Sequence, residues 1–399
     1  MSLVEKRARA LVERYSMKEI RIPVLERTQL YLRSTGETSD IVEKQMYTFA
    51  DRDEGETVVA LRPEGTPGVV RAYIEAGFDR TEPEQRLFYS GAMFRRERPQ
   101  KGRYRQFYQF GVEVFGRPDA ACDAEILIMI DELCRALKVP FTMEINSIGD
   151  QKCRPAFRDA LVQWGRTHWD ELCDDCHNRI DRNPLRLLDC KIDAKLAASA
   201  PNSLDYLCDE CRAHFDTVKE LASAGGVEYV VNPRMVRGLD YYTRTAFEVM
   251  AGGLGAQSTV VAGGRYDGLV ETMGGAAVAG IGFAIGVDRM ALALQAAGVA
   301  PTAAPDAAII AMGPAATRHA IAVARNLREA NLNVEMLSPE RKMKSLLARA
   351  SKIGARFAVI IGDDELARGV VQVRDLKQST QHEVAVAEAA RAIADARGG

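Results

Sequence analysis

The chain has 399 residues, 47% of them in the hydrophobic set, and a formal net charge of -2. That length carries two or three domains with cores of their own, and the near-neutral charge excludes nucleic-acid binding by bulk charge alone. No apolar run is long enough to cross a bilayer and no signal-peptide pattern opens the chain, so no membrane partner is expected; eight cysteines in so long a chain fit reduced cytoplasmic thiols, some of them holding a metal.

Val4, Ala8, Leu11, Val12 and Tyr15 recur at helical spacing, so the chain opens with an amphipathic helix. Ile20 to Val24 reads as a strand, with Pro23 placing it at an edge or a bulge. Met46–Phe49 and Thr57–Arg62 read as two strands joined by the charged turn Asp51–Glu56. Pro63 and Gly65 then force a turn, and a helix runs from Pro67 to Ile74. Glu64 sits on that strand-to-helix turn, where its carboxylate either faces a cleft or meets the helix dipole.

Phe94 to Phe115 reads FRRERPQKGRYRQFYQFGVEVF. Six basic residues and one acid, Glu97, lie between Arg95 and Arg105. Pro99 and Gly102 break that run into a loop between two extended segments. In the second segment Tyr108, Phe110, Val112 and Val114 share one face, and Gln109, Gly111 and Glu113 share the other. The second face offers an amide and a carboxylate around a residue with no side chain, leaving room for a ligand. A cationic loop beside such a floor suits a small polar substrate and a polyphosphate; the bland alternative is an edge hairpin with a solvated tip.

A helix with an apolar stripe from Ile126 to Leu137 follows, then a strand from Val139 to Ile145. Residues 147–227 read as a helical insertion. It carries two similar pentads, Leu172-Cys173-Asp174-Asp175-Cys176 and Leu207-Cys208-Asp209-Glu210-Cys211, with 31 residues between the pairs and Cys190 among them. Four thiolates complete a tetrahedral zinc shell with no open position, so Cys173, Cys176, Cys208 and Cys211 are expected to form one structural zinc site. Incidental cysteines on a helical insertion are the competing reading. His177 and His214 read as solvated helix residues.

After a strand at Glu228–Asn232 comes Arg237-Gly238-Leu239-Asp240-Tyr241-Tyr242, read as strand from Tyr241 onward, with the two tyrosines on opposite faces. Gly252–Gly255 reads as a hairpin loop, since no helix opens behind it as a dinucleotide fingerprint requires. Val260–Leu269 reads as a strand ending in Gly263-Gly264-Arg265-Tyr266-Asp267-Gly268. Gly280–Gly286 reads as a glycine-spaced strand running into a helix whose first turn carries Arg289, a cation able to hold a phosphate or to pair with Asp288. A linker at Ala300–Pro305 leads to a small α/β domain, 305–399. From Asp306 onward 14 Lys+Arg stand against 11 Asp+Glu, a net of +3, while the remainder has 39 against 44, a net of -5. That asymmetry favours a polyanion partner on the last domain.

Taken together these stretches carry a resemblance. FRRERPQKGRYRQFYQFGVE resembles motif 2 of the class II aminoacyl-tRNA synthetases. RGLDYY and GGRYDG resemble the two signatures peculiar to histidyl-tRNA synthetases of bacterial type. Gly282–Arg289 resembles motif 3, and Ile22-Pro23 with the preceding helix resembles motif 1. The sequence departs from the family in lacking a short Gly-Thr-containing strand before the first helix, and in having Tyr108 where His is common.

The resemblance implies an α+β fold: an antiparallel sheet flanked by helices, interrupted by the insertion, with a C-terminal α/β anticodon-binding domain. The catalytic core would comprise 1–146 and 228–300. It implies a cytoplasmic homodimer that activates L-histidine with ATP and Mg²⁺ and transfers it to the 3′ end of tRNA(His). Arg95 and Arg237 would hold the α-phosphate, and Arg103 and Arg289 the tail phosphates. Glu64, Thr66 and Gln109 would bind the substrate amino group, with Gly65 in the same histidine site. Glu113 and Tyr242, beside Tyr241, would read the imidazole. The rival reading is a non-catalytic paralogue, the histidine-binding regulatory subunit of an ATP phosphoribosyltransferase. Such paralogues lack the anticodon-binding domain and have an eroded RGLDYY stretch; both are present here.

Overall fold

The structure is a computed structural model, and it describes every residue except 37, 38, 40, 51–57, 256, 257, 300–303, 339–341 and 399. The predicted Asp51–Glu56 turn and most of the Ala300–Pro305 linker lie outside the described residues. The chain forms two compact units, Met1–Pro301 and Thr302–Gly399.

The first unit is built on an eight-stranded sheet. Its order is Lys18–Glu19, Gln85–Phe94, Gln106–Phe115, Gly280–Gly286, Thr259–Arg265, Thr243–Ala251, Phe141–Ser147 and Val230–Val231. The pairs at the two edges are parallel and the rest antiparallel. The predicted alternation of the Gln106–Phe115 strand holds. Phe110, Val112 and Val114 are fully buried in the core beneath the sheet, with the helices Ala120–Leu137 and Val287–Ala296. Asp119 caps the first of these helices, accepting from Cys122 N–H at 3.1 Å, and Lys138 ends it with φ 57°.

Pro23 has a larger effect than expected. Ile20–Val24 is not a strand; regular pairing stops at Glu19 and resumes at Leu25. Proline withholds a ladder donor, and Arg62 ties the broken stretch down instead. Its Nη1 donates to Ile22 O at 2.5 Å and its Nε to Ala92 O at 2.8 Å. Leu25–Arg27, Val58–Leu61 and Tyr47–Ala50 make a separate three-stranded sheet beside it.

Glycines at the middle of the large sheet make room, but for the protein's own side chains. A Cβ on Gly111 would lie 2.2 Å from Tyr89 Cζ, and one on Gly282 would lie 1.9 Å from Glu113 Oε2. The space predicted above Gly111 for a ligand therefore holds the Tyr89 ring. In each case the intruding residue is the glycine's direct cross-strand neighbour.

The 147–227 segment is mostly helical and groups with the sheet in the first unit. The second unit has a five-stranded sheet in the order Val334–Met336, Ala307–Ala311, Phe357–Ile361, Val370–Asp375, Thr380–Ala385. The first three run parallel, and Val370–Asp375 pairs antiparallel with both of its neighbours. Ala307, Ile309 and Ala311 enter one core cluster, while Ala308 and Ile310 enter another on the opposite face. In this second unit neither the short helix Asp363–Arg368 nor the edge strand Thr380–Ala385 was read from the sequence. That strand is almost entirely exposed, so it carries no apolar alternation to detect.

Candidate functional site

One cavity of about 390 Å³ opens on the face of the large sheet away from the core. Of the predicted substrate and phosphate residues, Glu64, Thr66, Arg95, Arg103, Gln109, Glu113, Arg237, Tyr241, Tyr242 and Arg289 line it. Gly65 does not. It precedes the helix Thr66–Glu75, and a Cβ there would sit 2.3 Å from the Tyr89 ring. Its part is to let that helix approach the sheet.

The floor is a hydrogen-bonded carboxylate. Thr66 Oγ1 donates to Glu113 Oε1 at 2.6 Å, and Tyr266 Oη donates to Glu113 Oε2 at 2.5 Å. Beside it Tyr241 Oη donates to Glu64 Oε2 at 2.9 Å. Burial pushes Glu113 up to about 8; the bonds from Thr66 and Tyr266 work against that rise, and the Glu64 carboxylate adds to it. Burial likewise pushes Glu64 up to about 7, against the pull of Arg95, Tyr241 and Arg237. Both acids are therefore poised to change protonation when a cation arrives.

Four arginines stand around this floor. Arg95 Nε donates to Pro63 O at 3.0 Å, and its guanidinium lies 5.2 Å above the Phe107 ring. Arg103 pairs with Glu97 at 3.3 Å. Arg289 does not pair with Asp288. Its Nε donates to Gly102 O at 2.9 Å and its Nη1 to Thr259 O at 3.2 Å, while Asp288 accepts from Tyr108 N–H at 2.6 Å. The first helical turn after the sheet is thereby tied to the cationic loop. Burial and the neighbouring charges of Arg103 and Arg95 push Arg289 down from the ordinary arginine range. Arg237 is paired with Glu248 and lies 5.3 Å over the Tyr242 ring.

The RGLDYY stretch is not a strand. Tyr241 sits in a turn and regular pairing begins at Thr243. The alternation argument therefore fails there, and both tyrosines line the cavity with ring centroids 4.6 Å apart. Four buried cavity atoms have no hydrogen-bond partner among the described residues: Glu64 Oε1, Gln109 Oε1, Arg237 Nε and Glu97 Oε2, the last of which keeps its ion pair with Arg103. Orphaned buried polar atoms are costly and need an explanation, and a polar ligand supplies one.

Sequence reasoning missed Tyr89, Glu97, Tyr266 and Glu248, and also Arg186, Asp189 and Lys191 from the insertion, all of which line the cavity. Tyr266 could have been found, since it stands inside GGRYDG. In that stretch Arg265 turns away and pairs with Asp123, which also bonds His214 Nε2 at 2.8 Å. His214 is thus a half-buried structural partner, not a solvated residue. His177 stacks on Trp169, centroids 4.1 Å apart.

The four C-x-x-C thiols do not converge on one another. Cys208 and Cys211 gather with Asp150 and Cys153, while Cys173 and Cys176 gather with Cys190 and Asp193. The expected single four-thiolate shell is replaced by two separate clusters. Each pair opens its own helix, and a different segment of chain packs against each helix start.

An antiparallel sheet in which a cationic loop joins two neighbouring strands beside a glycine-spaced one, with arginines over a floor of two buried acids and an amide, defines a class II aminoacyl-tRNA synthetase catalytic unit. The family model "Histidyl-tRNA synthetase" matches residues 1–149 and 178–290, and "Anticodon binding domain" matches 306–396. This chain belongs to the histidyl-tRNA synthetase family. It is 45% identical over 390 residues to the histidine–tRNA ligase of Desulforamulus reducens, covering 96% of this chain and 93% of that one. It is also similar to the apo histidyl-tRNA synthetase structure of S. aureus, at 34% identity and TM-score 0.74, covering 98% of this chain and 95% of that one. A structure from Bacillus halodurans described as an ATP phosphoribosyltransferase regulatory subunit/histidyl-tRNA synthetase shares the fold at 20% identity and TM-score 0.61, covering 90% of this chain and 93% of that one.

Proposed function

We infer that the cavity activates L-histidine with ATP and that the chain transfers the histidyl group to the 3′ end of tRNA(His). The observation that carries this is the gathering of Arg95, Arg103, Arg237 and Arg289 around the orphaned atoms of Glu64, Gln109 and Arg237 in one cavity. A histidine carboxylate oxygen attacks the α-phosphorus of ATP. The bond from that phosphorus to the bridging oxygen breaks, and pyrophosphate leaves with its electron pair. A terminal ribose hydroxyl of the tRNA then attacks the carbonyl carbon, and AMP leaves.

The arginines act on charge. Arg95 and Arg237 would meet the α-phosphate, where negative charge grows in the transition state, and fixed cations in a buried site are most effective there. Arg103 and Arg289 would hold the tail phosphates. Because Arg289 is bonded to Gly102 O, it also holds the cationic loop in place. Mg²⁺ would partly neutralise the phosphates. Glu97 and Glu248, hard oxygen donors that both line the cavity, fit that ion.

The two acids and the Gln109 amide would hold histidine. Glu64 Oε1 and Gln109 Oε1 are free acceptors for the α-ammonium group. Glu113, braced on both oxygens by Thr66 and Tyr266, keeps a lone pair on each for an imidazole N–H. Removing a partner from such a buried pair strands polar groups, which is how a site of this kind rejects apolar side chains.

The homodimer has a fitting surface. Val24, Leu25, Phe49 and Val58 are 42%, 54%, 49% and 44% exposed, all on or beside the small three-stranded sheet. Four apolar side chains grouped this way are suited to a second copy of the chain. The second unit, with its positive charge balance, would read the anticodon.

The experiment is histidine-dependent exchange of labelled pyrophosphate into ATP, followed by charging of a tRNA(His) transcript. Exchange with histidine alone among the amino acids, together with charging, is expected. Absence of exchange in folded protein would overturn the reading.

A further inference from the structure

We propose that the cysteines hold two zinc ions in separate Cys₃Asp shells, and that these ions fix the insertion at the edge of the active site. One shell is Asp150, Cys153, Cys208 and Cys211; the other is Cys173, Cys176, Cys190 and Asp193. In each, the four ligand atoms all lie within 4.8 Å of one another.

The geometry fits a metal and not a disulfide. Cys173 Sγ and Cys190 Sγ are 3.7 Å apart. A tetrahedron with zinc–sulfur bonds of about 2.3 Å has sulfur–sulfur edges of about 3.8 Å. A disulfide needs about 2.05 Å. All eight cysteines are free thiols.

The two shells are built to one plan. A C-x-x-C pair opens a helix, Asp174–Arg182 in one case and Asp209–Ala224 in the other, with its first cysteine at the N-cap. The positive end of each helix favours thiolate. A second segment then adds a cysteine and an aspartate three positions apart, Cys190 with Asp193, or Asp150 with Cys153.

The aspartates are already oriented. Asp193 Oδ2 accepts from Cys173 N–H at 3.1 Å and lies 3.6 Å from Cys190 Sγ. Asp150 Oδ1 accepts from Lys152 N–H at 3.0 Å and lies 3.5 Å from Cys153 Sγ. Supporting bonds of this kind aim a ligand at its metal. Three soft thiolates select zinc over Mg²⁺ or Ca²⁺, and four protein ligands close the shell, so the ions are structural.

Their position gives them a purpose. Cys190 lies between Asp189 and Lys191, both on the cavity wall. Next to the other shell, Arg154 donates to Tyr242 O, and Arg244 N–H donates to Gly149 O at 2.7 Å. That shell therefore stands behind the Tyr241–Tyr242 turn.

The test is elemental analysis of full-length protein grown with zinc and purified without chelator. Two zinc ions per chain are expected. Cys153→Ser and Cys190→Ser, which lie outside both C-x-x-C pairs, should each leave one ion, and the double variant none. A single site made of Cys173, Cys176, Cys208 and Cys211 would instead bind one ion that neither substitution removes, and that result would overturn the proposal, as would zinc-free wild-type protein. Should a variant fail to fold, an organomercurial titration of the wild type with a zinc-sensing dye counts the ions directly. Release of two ions supports the proposal, and release of one or none refutes it.

Discussion

Arg237 is paired with Glu248 across the cavity wall, and Glu248 in turn accepts from Thr259 Oγ1 at 3.1 Å. The guanidinium is thus fixed before any substrate arrives, with its Nε buried and unpartnered. A preorganised cation costs little reorganisation when charge develops beside it. Replacing Arg237 with His should lower kcat for adenylation by roughly two or more orders of magnitude, the scale of a lost oxyanion donor. Histidine KM should move less, because the interaction belongs mainly to the transition state. Lysine should restore only part of the loss, since a point charge cannot keep both the Glu248 contact and the phosphate contact. Pyrophosphate exchange with circular dichroism as a folding control makes the measurement. Near-normal kcat in folded Arg237→His would remove Arg237 from the chemistry.

Glu113 and Tyr266 form a second pair. Glu113→Gln should raise histidine KM steeply and leave ATP KM much less affected. Tyr266→Phe should act in the same direction but more weakly, by about ten- to a hundredfold, because one hydrogen bond to a charged group is worth about 1.5–3 kcal/mol. Steady-state kinetics on both variants would decide. An unchanged histidine KM in Glu113→Gln would move the imidazole elsewhere.

The raised acids make histidine binding sensitive to pH. Glu64 stands at about 7 in the free protein, chiefly through burial, and an α-ammonium beside it favours the carboxylate. Below about pH 7 histidine binding should therefore release a proton from Glu64, and affinity should fall as pH falls. The groups facing it, Arg95, Arg237, Tyr241 and Glu113, shift the midpoint without changing the sign. Calorimetric titration at pH 6 in two buffers of different ionisation enthalpy measures the proton. Glu64→Gln controls for the imidazole of histidine itself. The same proton release in wild type and Glu64→Gln would refute the assignment.

The second unit, Thr302–Gly399, matches the anticodon-binding model over 306–396. A chain ending near Ala304 should keep histidine-dependent pyrophosphate exchange and lose most tRNA charging. Full charging by that shortened chain would assign the unit another task.

Much of the site was legible in the sequence because its signals are local. The strand alternation from Gln106 to Phe115 places Gln109 and Glu113 on one face whatever the surrounding fold, and the predicted helix after Gly286 carries Arg289 in its first turn. Period-two and period-3.6 patterns need only neighbouring residues. Sheet order and close packing decided the rest. Gly111 and Gly282 announce a space, but only the cross-strand register determines that Tyr89 and the Glu113 carboxylate fill it. Tyr266 reaches Glu113 from 153 positions away. The two tyrosines of RGLDYY share a face because a turn, not a strand, holds them. The C-x-x-C pairs show that thiols are grouped, while the fold alone selects the third cysteine and the aspartate that join each pair. These contacts depend on which strands and helix ends are neighbours in space, and no local periodicity encodes that.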